Sequence, residues 1–167
     1  MKQNKQMLKI IGYVVRGEKE KFILKNGVLG RGVVLVTLLS IVLGYVLGEI
    51  NEDFSRFLIY LGVKVILGVI IGYFIGVNEW KFYYSIINED YDKKVYKKMA
   101  ILNGIVGWGL LCFLVQIENY IGDLTFTLIM IPVGIVLWIA GGAFFGYIMW
   151  SFIDVNGIRS SAREYNQ

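Results

Sequence analysis

The chain has 167 residues, 56 % of them hydrophobic, with a mean hydropathy of +0.60 and a single proline, which is too apolar for a soluble domain. There is no histidine, and the single cysteine, Cys112, excludes an intrachain disulfide. The commonest general base and metal ligand is thus missing, and a net charge of +4 is too small to point to nucleic acid.

Residues 1–25 form a polar opening segment. Within it, Met7, Ile11, Val14 and Val15 share one helical face, with Lys5, Lys9 and Arg16 around it. This pattern predicts an amphipathic helix over 5–16, ending near Gly17, that lies on the inner leaflet or docks on a partner protein. It does not read as a signal peptide, because its apolar stretch is short and Arg16 and Glu18 follow at once.

Four apolar runs follow, at about 28–48, 57–77, 101–117 and 126–150. Each is about as long as a helix needs to cross a ~30 Å hydrocarbon core at ~1.5 Å per residue. The expected fold is all-α: a polytopic protein with a four-helix transmembrane domain over 26–152, ending in a cytoplasmic tail at 153–167.

The first run opens with Asn26-Gly27-Val28-Leu29-Gly30-Arg31-Gly32, and the third with Asn103-Gly104-Ile105-Val106-Gly107-Trp108-Gly109. The second and fourth runs align at an offset of 70, with 9 identities in 25 positions, including Gly72 with Gly142, Gly76 with Gly146 and Trp80 with Trp150. The expectation is two tandem helix-pair repeats, inserted in the same orientation and related by an axis along the membrane normal. Trp80 and Trp150 would be interfacial anchors.

Small residues recur four apart, at Ser40, Gly44 and Gly48, at Gly68, Gly72 and Gly76, and at Gly142 and Gly146. Such faces let helix backbones approach closely, within one chain or in a homo-oligomer or partner complex. Pro132 interrupts the fourth run, opposite Gly62 in the repeat.

Lys64 is the charged residue well inside a run. It is expected either to snorkel or pair with outer acids such as Glu49 and Glu118, or to line a pathway, with Gln116 in the same neighbourhood. The remaining outer acids are Glu52, Asp53 and Asp123.

Basic residues are distributed unevenly. Fifteen of the 17 lie in the N-terminal segment (Lys2, Lys5, Lys9, Arg16, Lys19, Lys21, Lys25, Arg31), the middle loop at 78–98 (Lys81, Lys93, Lys94, Lys97, Lys98) or the tail (Arg159, Arg163). Arg56 alone lies among the acids of the other two connections. The positive-inside rule then places both termini in the cytoplasm of a cell-membrane protein, with the lysines facing anionic headgroups. The acidic stretch Asn88-Glu89-Asp90-Tyr91-Asp92 lacks the spacing of a calcium loop.

No nucleophile elbow, zinc-protease signature or phosphate loop occurs, so neither an enzyme nor a cofactor or metal is predicted. Two functional classes remain. One is a non-catalytic subunit acting through helix–helix association, of accessory, immunity or defence type. The other is an oligomeric transporter, channel or lipid-linked-substrate flippase subunit.

Overall fold

The computed structural model describes residues 5–89, 91–121 and 124–165. Lys2, Asp90, Asp123 and the side chain of Lys5 lie outside the described residues. The described chain is all helix and connection: α1 (Lys5–Val15), α2 (Lys19–Val46), the short α3 (Glu49–Glu52), α4 (Phe54–Asn88), α5 (Lys93–Val115), α6 (Leu124–Ser151) and α7 (Val155–Tyr165). Helices α2, α4, α5 and α6 are each long and apolar enough to cross a membrane.

These helices outrun the apolar segments. The loop expected over 78–98 is mostly helix, because α4 continues to Asn88 and α5 already begins at Lys93. Hydropathy marks where a helix meets hydrocarbon, whereas lysine and glutamate are good helix formers and carry the same backbone onward. The tail also contains a helix, α7.

Local sequence explains the ends. α1 stops where Gly17 takes a left-handed φ of 69°, with Gly17 N–H donating to Val14 O (3.1 Å) and Glu18 N–H to Tyr13 O (3.0 Å). α2 ends at Gly48, also left-handed (φ 83°). Asp53 caps α4 by accepting from Arg56 N–H at 3.0 Å, and Asp154 opens α7 by accepting from Gly157 N–H at 3.0 Å. α6 runs on through Pro132.

Helices α2 and α4 form one antiparallel hairpin, and α5 and α6 a second. Glycine seals both. A Cβ on Gly72 would lie 2.6 Å from the Gly27 carbonyl oxygen and 2.8 Å from the Gly32 Cα. A Cβ on Gly142 would lie 2.8 Å from the Gly104 carbonyl oxygen and 3.0 Å from the Gly109 Cα. Gly68 likewise rides on Gly32, while Gly76 meets Ile23 and Gly146 meets Ala100 and Ile101. Backbone against backbone is the packing that holds helices together where lipid removes the hydrophobic drive. The same two stretches are wound more widely than an α-helix, with π-type turns over Ile23–Leu35 and Ile105–Gly109.

Helices α1 and α7, the end of α4 and the start of α5 lie at one end of the bundle, here the basic end. The turn after α2 and residues 116–121 after α5 lie at the other, the acidic end. Across the basic end, Ile11 of α1 and Ile158 and Ala162 of α7 pack with Phe82, Ile86, Tyr96 and Ala100. Val14 joins Phe22, Ile23 and Trp80. The apolar face of α1 is therefore occupied by the protein itself. Arg159 of α7 fastens this layer, donating to the carbonyl oxygens of Ile86 (2.8 Å) and Glu89 (2.7 Å) and to the Tyr96 hydroxyl (2.9 Å).

Candidate functional site

The seam between the two hairpins differs from their interiors. It is polar, then apolar, then polar along its length.

At the acidic end Lys64, projecting from α4, forms an ion pair with Glu118, which follows α5. The pair therefore joins one hairpin to the other. Lys64 is 4 % exposed, so its charge is held by a carboxylate rather than by water. Beside it opens a cavity of ≈ 230 Å³ lined by Glu49, Glu52, Asp53, Arg56, Tyr60, Glu118 and their neighbours. Burial pushes the Glu49 carboxyl above its ordinary value; the Glu118 charge adds to that, and Lys64 opposes it. Gln116 ends α5, its N–H bonded to the Cys112 and Phe113 carbonyls.

The middle of the seam is apolar. Val36 of α2 and Ile75 of α4 meet Leu111, Leu114 and Val115 of α5, with Leu39, Leu43, Ile71 and Val106 around them. Ser40 is buried in the same helix and its hydroxyl has no hydrogen-bond partner.

At the basic end is a second ion pair, Arg31 with Glu79. Both residues belong to the first hairpin, but the guanidinium lies against the second: a Cβ on Gly107 would be 3.0 Å from Arg31 Nη1. Two adjoining cavities share Arg31, Glu79, Tyr83 and Met149 as walls. One, of ≈ 450 Å³, reaches Lys25, Asn26 and Met7 and Ile10 of α1. The other is bounded by Asn103, Phe82 and the rings of Trp108 and Phe145, whose centroids are 4.7 Å apart. The Asn26 Nδ2 is buried without an acceptor.

Sequence reasoning brought Lys64, Glu118 and Glu49 to one neighbourhood and missed Glu79. It grouped Arg31 with the surface lysines because hydropathy placed both residues at run boundaries. Helical spacing carries the signal: Glu79 follows Gly68, Gly72, Ile75 and Gly76 at intervals that keep it on the buried face of α4.

The glycines proposed for packing divide. Gly68, Gly72, Gly76, Gly142 and Gly146 meet partners inside their own hairpins, and Gly44 faces the Phe57 ring. Gly48 is a turn residue with open space at its missing Cβ. Trp80 is 6 % exposed, its ring edge-to-face with Phe22 at 5.6 Å, so it packs inside the basic end; Trp150 borders the same layer.

Comparison with protein-family models, with curated proteins and with solved structures gives no match. The structure itself describes a small, all-helical, multi-span membrane protein.

Proposed function

We propose that this protein is a small non-catalytic membrane transporter or channel subunit, built from two tandem repeats, whose seam is the pathway. One observation carries the reading: glycine seals each hairpin within itself, while ion pairs and cavities lie along the seam at both ends of an apolar layer. Supporting the duplication, Gly27, Gly32, Gly72 and Gly142, Gly104, Gly109 make corresponding backbone contacts in the two hairpins. Rigid units with a polar seam suit rocking of one repeat against the other.

The basic end faces the cytoplasm in this reading, supported by the distribution of lysine and arginine. There α1 lies at the leaflet surface with its apolar face on the bundle, and Lys25 and Lys93–Lys98 attract anionic headgroups.

Thiol accessibility tests this on a Cys112→Ser background. An impermeant reagent is expected to label Asn103→Cys from the cytoplasmic side and Tyr60→Cys from the opposite side. Ile71→Cys, in the apolar layer, should stay protected until Lys64→Met and Glu118→Leu are added. Labelling of Asn103→Cys and Tyr60→Cys from one side, or protection of Ile71→Cys throughout, would contradict the pathway.

A second reading, an accessory, immunity or defence subunit bound to a partner membrane protein, is favoured by α6. Only 11 % of its apolar window is buried, with Leu128, Val136 and Phe144 each 66 % exposed. A stoichiometric second protein in native mass spectrometry of the complex would support it, and a homo-oligomer would not.

A further inference from the structure

The basic-end cavity carries more than a structural ion pair requires. Lys25, Arg31, Tyr83 and Asn103, each with a side-chain donor, line the two adjoining parts of it, against the single carboxylate of Glu79. Donors in such excess call for an oxygen-rich, negatively charged ligand. The guanidinium of Arg31 has five N–H groups, of which a carboxylate can engage two, and its side chain is 32 % exposed, so part of the fork remains open to a second anion. The Asn26 Nδ2 is buried behind this wall and has no acceptor within the protein.

The opposite wall is apolar. Trp108 and Phe145 lie a turn deeper into the bundle than Gly104 and Met149, and continue the cavity toward the hydrocarbon. Its polar part lies beside Glu79, next in sequence to the buried Trp80, at the basic end of α4. The ≈ 450 Å³ part beside Lys25 exceeds what a bare phosphate fills, and the adjoining part against Trp108 and Phe145 adds ≈ 80 Å³.

We propose that this cavity binds an anionic phospholipid, its phosphate on Arg31, Lys25 and the Asn103 amide, and its chains leaving along Trp108 and Phe145. This rests on the seam being the working surface and names the class of molecule it receives. Glu79 is the resident counterion that holds Arg31 in place while the site is empty.

The test is native mass spectrometry of the full chain, released from micelles containing equimolar phosphatidylglycerol and phosphatidylcholine. Wild type is expected to retain one phosphatidylglycerol with about tenfold preference. Lys25→Gln, at an exposed position, should reduce that preference several-fold. The double variant Arg31→Gln/Glu79→Gln removes both charges together, leaving neither buried alone, and should abolish it; its thermal unfolding reports whether it folds.

Equal retention of the two lipids by wild type, a preference for phosphatidylcholine, or an unchanged preference in both variants would overturn the proposal. Displacement of the lipid by millimolar glycerol phosphate would assign the site to soluble phosphate esters, overturning the lipid. Hairpin motion is read separately by spin-label distances, so a rigid seam with selective lipid retention, or the converse, tells the two failures apart.

Discussion

Lys64 and Glu118 form an ion pair that ties α4 of one hairpin to the end of α5 in the other, with the lysine almost wholly buried. Removing one partner leaves the other charge buried and uncompensated, which costs about 3–5 kcal/mol. Lys64→Ala is therefore expected to destabilise strongly. Lys64→Met/Glu118→Leu should recover most of the loss, because an apolar pair of similar volume is close to neutral. Thermal unfolding of wild type and the two variants in one detergent checks the order.

The glycine contacts predict a contrast within one helix. Gly72→Ala puts a methyl 2.6 Å from the Gly27 carbonyl oxygen and must push α2 and α4 apart, at a cost of about 1–3 kcal/mol. Gly62→Ala meets nothing within 4 Å and should instead stabilise by about 0.5–1 kcal/mol through helix propensity. Because Gly72 packs inside its own hairpin, Gly72→Ala should lower the unfolding temperature without changing the oligomeric mass. Unfolding curves with mass determination separate the two effects.

Much of this was legible beforehand, and the rest failed for identifiable reasons. Long apolar runs report the four spans directly, because hydrocarbon accepts little else. The glycines of 26–32 and 103–109 were visible as a motif, but which helix each would meet depends on hairpin pairing. Glu79 and α7 were missed through a shared cause. Both lie where the sequence turns polar, and hydropathy ignores polar residues held by the protein itself, as Arg159 is by Ile86, Glu89 and Tyr96.

Arg159→Gln tests that last contact. Losing hydrogen bonds from a charged donor costs about 1.5–3 kcal/mol, and these bonds tie α7 to the end of α4 and to Tyr96 of α5. Amide hydrogen exchange is expected to rise over 155–165 and over the exposed end of α1, leaving the glycine-sealed stretches of α2 and α5 unchanged. Uniform exchange across all four long helices would instead mean that α7 supports the whole bundle.

Acid dependence follows from Glu49. Its folded carboxyl is raised above the ordinary value, so the folded state binds more protons than the unfolded chain in the window between the two values. Its contribution to stability falls as pH rises through that window and is restored as pH drops back through it. Glu49→Gln should flatten this component of the pH profile of unfolding, and an identical profile in wild type and variant would contradict the assignment.

Motion of the two hairpins about their seam, each hairpin staying rigid, is read directly by pulsed spin-label distances on a Cys112→Ser background. A pair at Leu38 and Phe74, both exposed and within one hairpin, is expected to give a single narrow distance. A pair at Phe74 and Phe144, exposed on the two different hairpins, should give two populations or one broad one, shifting when Lys64→Met/Glu118→Leu removes the tie. Equally narrow distances for both pairs, unmoved by that double replacement, would mean that the seam is a fixed interface and the pathway reading is wrong.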